Sequence, residues 1–293
     1  MKAAAFEYVR AGTLAEACAL LAEHGPDAKL IAGGQSLVPM MAMRLARPAW
    51  LVDISRLDEL KGIAMQGEFL AVGAAVRQCV IERDSLARAT LPLLARALKW
   101  VGHVQTRNRG TVGGSIVHAD PAAEIPLVAC VLDATLELSD ASGASEVLAR
   151  EFFLAPMVTA IAPEQCLTAI RFPVWHDAGL GCAFEEVSIR RGDFALVSAC
   201  AQVALDADGR CRRAAIGIGG ASPVPQALPE IGTLLVGSRL DDQAIAAAAD
   251  AAAGLIDPEG DLHATADYRR HLARVLTERV LRAAAGNARE RER

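Results

Sequence analysis

Apolar and polar positions along this chain repeat with two different periods, and each change of period marks an element. Leu14, Ala17, Cys18 and Leu21 recur at helical spacing, which puts them on one face of a 3.6-residue turn. Thr13 and Glu16 ahead of them form the T-x-x-E of a capping box, and Gly25-Pro26 closes the segment. Lys29 to Ala32 is a short apolar run that fits a buried strand ending in Gly33-Gly34. Leu37 to Leu45 reads as helix, and Trp50 to Ile54, following Pro48, as a second strand. Together these make a compact strand–helix lobe over residues 1–57.

A second unit runs from about Gly62 to Pro173. Phe69 to Val76, Thr135 to Ser139 and Leu167 to Phe172 read as strands, and Pro92 to Val101 as helix. A glycine-rich turn is expected over Gly110 to Ser115, followed by a helix opened by Pro121 and containing Glu124 to Leu132, with Asp120 as its cap. Gly179 to Val187 begins a third unit. Asp206-Ala207-Asp208-Gly209 between Ala195–Leu205 and Arg212–Ile218 is a strong hairpin signal. Two helices, about Asp241 to Ala253 and Thr265 to Ala285, finish the pattern; Gly286 is expected to stop the second and leave 287–293 as a frayed, charged tail. The fold class expected is α+β: lobes 1–57 and 58–175 in one domain, then a smaller domain over 179–286, with no long linker between them.

Composition narrows the function classes. Of 293 residues, 53% are hydrophobic but only 4% aromatic, so Ala, Val and Leu fill the cores. A net charge of -5 argues against the basic face of a nucleic-acid binder. The most continuous apolar stretch, Ile125 to Leu132, is far short of the ~20 residues of a membrane span, and Met1 to Glu7 lacks the apolar core of a signal peptide. These features point to a cytoplasmic location. Seven cysteines (Cys18, Cys79, Cys130, Cys166, Cys182, Cys200 and Cys211) are scattered without any C-x-x-C or C-x-C. That spacing suits neither a zinc site nor an iron–sulfur cluster, and the thiols read as reduced core residues.

Chemistry concentrates at two glycine pairs, Ala32-Gly33-Gly34-Gln35-Ser36 and Thr111-Val112-Gly113-Gly114-Ser115. A glycine pair frees the backbone and removes side chains that would hold a phosphate away; several N–H groups can then converge on one anion, with Ser36, Thr111 and Ser115 adding hydroxyls. Two such segments suit a diphosphate gripped from both sides. Neither has the G-x-G-x-x-G spacing of a Rossmann fold or the G-K-[ST] of a P-loop.

Leu30 to Met41, reading LIAGGQSLVPMM, resembles the first FAD-binding motif of the flavoprotein (medium) subunits of molybdenum hydroxylases, the carbon monoxide dehydrogenase/xanthine dehydrogenase family. Thr106 to Ser115, continuing through His118-Ala119-Asp120-Pro121-Ala122-Ala123-Glu124, resembles the second motif, and Arg190-Arg191-Gly192-Asp193-Phe194-Ala195 the start of that family's C-terminal domain. The Gly219-Gly220 turn with Pro223 and Pro225 also fits, and the similarity covers nearly the whole chain. The resemblance implies a two-lobed FAD-binding fold of the vanillyl-alcohol oxidase/cresol methylhydroxylase type plus a small C-terminal α+β domain. It implies noncovalent FAD held by Ala32, Gly33, Gly34, Gln35, Ser36 and Leu37 from the first lobe and by Thr111, Gly114 and Ser115 from the second. Glu124 would accept hydrogen bonds from ribityl or ribose hydroxyls, and Leu167 and Phe194 would lie near the isoalloxazine. One departure stands out: some relatives carry a lysine close to the flavin where this chain reads Phe184-Glu185-Glu186. The acceptor of the electrons is therefore left open.

The resemblance also implies partners: a large molybdenum-cofactor subunit where substrate is oxidised and a small subunit with [2Fe–2S] clusters, assembled as a dimer of heterotrimers. This chain would be the electron-transfer subunit, passing electrons to an external acceptor, with no catalytic acid, base or metal ligand of its own. His103 and His118 are expected to be structural or hydrogen-bonding; Asp53 has no assigned task, Met40, Met41 and Met43 read as core, and Arg107 and Arg109 stand evenly between phosphate neutralisation and solvated charge. Two other readings remain. One is a stand-alone FAD-dependent reductase like the UDP-N-acetylenolpyruvoylglucosamine reductases, which share a G-T-V-G-G segment; the other is an assembly scaffold that has lost FAD.

Overall fold

The computed structural model describes residues 2–291. The first lobe follows the order β1 (Glu7–Arg10), α1 (Leu14–His24), β2 (Ala28–Ile31), α2 (Leu37–Ala42) and β3 (Trp50–Asp53). Its three-stranded parallel sheet has the order β1-β3-β2, with Trp50 level with both Glu7 and Ala28. Thr13 Oγ1 accepts the Glu16 N–H at 3.1 Å, as a capping residue should. The returning bond lands one residue early: Glu16 accepts from Gly12 N–H at 2.7 Å rather than from Thr13. Asp53 is buried at the end of β3, where it accepts from the Tyr8 hydroxyl, Arg10 Nε and Ser55 N–H, so its task is to tie β1 to β3.

The second lobe comprises β4 (Ile63–Gln66), β5 (Phe69–Gly73), α3 (Gln78–Arg83), α4 (Ser85–Thr90), α5 (Pro92–Ala97), α6 (Val104–Arg109), α7 (Val112–His118), α8 (Glu124–Val131), β6 (Thr135–Asp140), β7 (Gly143–Leu148), α9 (Ala149–Phe152), β8 (Phe153–Ala155), β9 (Val158–Thr159) and β10 (Cys166–Pro173). Its main sheet is antiparallel with the order β4-β5-β10-β6-β7. Two expectations are corrected here. Gly110 to Ser115 is no turn, because Thr111 caps α7 and both Gly113 and Gly114 sit in its first turn. Asp120 does not cap α8: that position is Ala123, and the Asp120 carboxylate accepts instead from Ala122 N–H at 2.9 Å in the turn before the helix.

The C-terminal unit contains β11 (Gly179–Ser188), β12 (Ala195–Leu205), β13 (Cys211–Gly219), β14 (Gln226–Ala227), α10 (Pro229–Leu235), α11 (Asp242–Leu255) and α12 (Ala266–Arg291), with a four-stranded antiparallel sheet β11-β12-β13-β14. At the expected hairpin the Asp206 carboxylate accepts from the N–H groups of Asp208 and Arg210, at 3.0 and 2.8 Å. Gly286 does not stop the last helix, which runs on to Arg291. Packing overrides the glycine: Ala284 and Ala288 press onto Gly181 of β11, and Asn287 donates to the Cys182 carbonyl at 3.0 Å. Of the expected tail, 287–291 are thus helical, and 292–293 lie outside the described residues.

Alternation along β11 couples the units. Cys182 and Phe184 join the second lobe's core together with Cys200 of β12, whereas Ala183 belongs to the core beneath α12. The connection between the units is also pinned, by Val174 N–H on the Glu68 carbonyl and by Arg213 stacked on the Trp175 ring. Six of the seven cysteines are buried, and none forms a disulfide. Burial pushes Cys130 and Cys166 up to about 12 and Cys211 up to about 11, as expected of inert core thiols.

Candidate functional site

β2 ends at Ile31 and hands the chain to an irregular segment before α2. Gly34 there has φ +70°, a left-handed conformation that a side chain would strain. The N–H groups of Gly33, Gly34, Gln35 and Ser36 find no acceptor within the chain. Ser36 precedes α2 without using its hydroxyl as a cap. Gln35 is exposed, with its amide loosely on the Gly33 carbonyl at 3.4 Å, and Leu37 is half-buried at the start of α2. The result is a row of open donors on a fixed turn, the arrangement that binds a phosphate oxygen.

The second segment is built differently. Val112 N–H donates to the Val76 carbonyl and Gly113 N–H to the Ala74 carbonyl, both at 2.9 Å. Gly114 N–H donates to Thr111 Oγ1 at 3.0 Å, and Ser115 N–H to the Thr111 carbonyl at 3.2 Å. Its backbone donors are therefore used internally. What it presents is side-chain chemistry: the Thr111 hydroxyl, which accepts one bond and keeps its own proton to give, and the half-buried Ser115 hydroxyl. Gly113 is required for fit, since a Cβ there would lie 2.8 Å from Ala74 Cα.

The two segments meet. A Cβ on Gly33 would overlap the Arg109 carbonyl oxygen and lie 2.9 Å from Gly110 Cα, so the first lobe touches the second where α6 gives way to α7. Gln78 supports this junction. Its N–H donates to the Gly110 carbonyl at 2.9 Å, and its buried Oε1, without a partner, faces Gly110. Nothing in the sequence singled out Gln78, because a glutamine after a strand reads as surface.

Of the two open arginines, Arg107 is committed to structure. It pairs with Glu82 at 3.0 Å and donates to the carbonyls of Val101 and Gly102. Arg109 is exposed and contributes its backbone to the meeting point with Gly33. The exposed ring of His103 is covered by Gly192, at φ +89°, so the segment Arg190–Phe194 of the C-terminal unit reaches back onto the second lobe there. Phe194 is 71% exposed and free to cover a flat ligand. Leu167 is 3% exposed inside the second lobe's core, level with Leu138, beside the β10 irregularity whose Thr168 carbonyl accepts from Ala74 N–H. It supports the floor beneath Gly113 rather than lining open space. Met41 is core, whereas Met43 is exposed.

Carboxylates gather where α8 begins. Glu124 in its first turn is raised to about 7, chiefly by burial and further by the Asp120 charge. Glu186 of β11 is 8% exposed, its Oε2 has no partner, and burial plus the Glu124 charge raise it to about 8. Burial lowers His118 at the end of α7 and so disfavours its charged form, against the Asp120 charge that favours it. Glu185, the neighbour of Glu186, points the other way and pairs with Arg279 of α12 at 2.7 Å. The sequence flagged Glu186 only as a departure; its burial follows from which face of β11 meets the second lobe.

An open amide row, two hydroxyls with protons to give and a half-buried carboxylate are the kinds of group that suit the diphosphate and polyol parts of FAD. Among the described residues no group of His, Cys, Asp or Glu is arranged to hold a metal ion.

Residues 4–175 match the FAD binding domain in molybdopterin dehydrogenase, and residues 182–284 the CO dehydrogenase flavoprotein C-terminal domain. The chain is 39% identical over 289 residues to the 6-hydroxypseudooxynicotine dehydrogenase complex subunit alpha of Paenarthrobacter nicotinovorans, covering 99% of this chain and 97% of that protein. It is 36% identical to the carbon monoxide dehydrogenase medium chain of Hydrogenophaga pseudoflava, covering 95% and 96%. The solved structure of quinoline 2-oxidoreductase from Pseudomonas putida 86 contains a chain that superposes with a TM-score of 0.93 at 36% identity, covering 98% of this chain and 99% of that one.

Proposed function

The chain belongs to the family of FAD-binding medium subunits of molybdenum hydroxylases, and on that premise we propose how its residues serve as the flavin-carrying electron-transfer subunit of such a complex. Gly33, Gly34, Gln35 and Ser36 bind the diphosphate of FAD through their N–H groups, with Ala32 and Leu37 fixing the ends of the segment. Thr111 and Ser115 donate hydroxyl protons from the opposite side, and Gly114, lacking a side chain, lets the cofactor approach them. Glu124 accepts from hydroxyls of the sugar chain. Phe194 covers the flavin ring and keeps water from one face, while Leu167 holds the strand behind the second segment. Bound FAD supplies the means to collect electrons singly from iron–sulfur clusters of a partner and pass them in pairs to an external acceptor. This chain's residues bind, orient and shield; none has to act as nucleophile, acid or base on a substrate.

The observation that carries this reading is the contact of the first glycine segment, with its open amides, against Arg109 and Gly110 at the end of α6, the stretch that leads directly into Thr111. The FAD-binding domain would comprise lobes 1–57 and 58–175, and the smaller domain would begin at 179. Substrate oxidation belongs to a large molybdenum-cofactor subunit, and a small iron–sulfur subunit completes a heterotrimer that pairs as a dimer. A cytoplasmic location fits seven cysteines of which none forms a disulfide.

Titration of the stripped, purified chain with FAD, followed by flavin fluorescence and visible absorbance, tests the reading. Saturable one-to-one binding is expected, and a folded chain that binds no FAD overturns it. Oxidation of NAD(P)H by the lone chain with a substrate of its own would favour the stand-alone reductase. Native mass spectrometry of the assembly from its source cells tests the stoichiometry, with two copies of each of three chains expected.

A further inference from the structure

Glu124 and Glu186 come from different units, and the charge of Glu124 bears on Glu186 across the boundary between them. Glu186 stands level with Ser198 on β12, whose hydroxyl is wholly buried and, like Glu186 Oε2, without a partner. A Cβ on the adjacent Gly219 would lie 2.6 Å from that hydroxyl and 3.5 Å from the Pro121 carbonyl. Gly220 N–H donates to the same carbonyl at 2.9 Å. The unpartnered oxygens therefore open toward the turn that leads into α8 and Glu124.

Among the described residues, the charge of Arg107 favours an ionised Glu124 but does not offset its burial. From α6, Arg107 is spent on Glu82 and two carbonyls. Arg279 of α12 serves Glu185 on the far face of β11, and Arg269 serves Asp261 and the carbonyls of Leu196 and Gly220. α5 turns Pro92, Leu93, Leu94 and Ala97 inward, all apolar. Asp120 adds negative charge, and burial disfavours the charged form of His118. Two carboxylates placed this way cannot both ionise cheaply; they titrate as a coupled pair.

Resting on the FAD reading, we propose that Glu124 and Glu186 hold one proton between them and that cofactor binding fixes it on Glu186, so that FAD affinity is linked to proton uptake. The sugar hydroxyls donate to Glu124 and favour its ionised form. The diphosphate brings further negative charge, and the cofactor removes the remaining water. Both effects penalise a second carboxylate, so Glu186 stays a neutral acid whose O–H can satisfy an oxygen that otherwise has no partner. The charge balance is one proton taken from solvent for each FAD bound to the doubly ionised pair.

Sign follows from that balance: affinity is highest where the pair already carries its proton and falls as pH rises through the range in which the free chain loses it. Isothermal titration of the full-length, FAD-free chain in buffers of different ionisation heat counts the protons. Uptake approaching one per FAD is expected at about pH 8.5, with the dissociation constant rising about tenfold between about pH 6.5 and about pH 8.5. Glu186→Gln, a permanently neutral mimic, is expected to abolish the uptake and flatten the profile to within about threefold, whereas Glu186→Asp keeps both. Infrared difference spectra of the wild-type chain with isotope-labelled glutamate should show a protonated carboxyl in the FAD-bound form, a readout that survives even if Glu186→Gln fails to fold. Buffer-independent heats in a chain that binds FAD, or uptake unaltered in Glu186→Gln, overturn the proposal. Absence of FAD binding at every pH instead removes the functional reading on which it rests.

Discussion

The two glycine pairs look alike in sequence and do opposite things in the fold. At Gly33-Gly34 the backbone donors are left open, Gly34 takes a left-handed φ, and Gly33 is small because another lobe's backbone passes against it. At Gly113-Gly114 the donors are consumed by Ala74, Val76 and the Thr111 hydroxyl, and glycine is there so that α7 can lie on β5 and its extension. One pair leaves its donors open, as the proposed binding surface requires; the other is a packing device that fixes the start of α7. A glycine-rich motif is thus a statement about space, and the hydrogen-bond inventory decides what the space is for.

Substitutions can break that contrast. Gly33→Ala has the largest expected effect: its methyl would overlap the Arg109 carbonyl, and parting the lobes should weaken FAD binding about tenfold to a hundredfold by the usual cost of overpacking. Fluorescence titration measures this, and unchanged affinity would show that the lobe contact does not shape the site. Gly113→Ala should act on folding instead. Its Cβ would press on Ala74, costing about 1–3 kcal/mol in urea-unfolding free energy, while the folded fraction binds FAD within about threefold of the parent. Thr111→Ala removes the α7 cap seen on Gly114 N–H and should cost about 1 kcal/mol of stability, together with a measurable loss of FAD affinity because one hydroxyl goes with it. Ser115→Ala should be the mildest. No hydrogen bond within the chain depends on its hydroxyl, so the melting temperature should hold while affinity falls about threefold to tenfold, the worth of one hydrogen bond. A stability loss at Ser115 equal to that at Thr111 would erase the distinction between presenting and capping hydroxyls.

Much of the scaffold could be read from residue patterns because local and tertiary preferences agree there. α1 with its Thr13 cap and the Asp206–Gly209 hairpin are such cases, whereas β2 is a strand as expected but only Ala28 of it is buried. Where they disagree, the pattern misleads. Gly286 is a helix stop by propensity, but Ala284, Ala285 and Ala288 gain more from lying on β11 than the glycine costs. β7 was invisible because Gly143 to Leu148 is an edge strand with exposed, polar residues and no alternating apolar face. At the candidate site, both glycine segments stand out in the sequence, but which of them keeps its backbone donors open does not, since that depends on partners thirty-odd positions away such as Ala74 and Val76. Glu186 lay beyond reach for the same reason: a strand's parity tells which residues share a face, not which face is dry.

Cys182, Phe184 and Cys200 complete the second lobe's interior from the far side of the domain boundary. Evolution therefore cannot trade the C-terminal unit between flavoproteins as an independent cassette. A transplanted unit would have to match the apolar relief presented by α5 and α8, or the hybrid would trap a void where Phe184 now sits. Inheritance of the two units should accordingly be joint, and grafts that succeed should be those whose donor strand repeats the Cys182–Phe184 pattern facing the host.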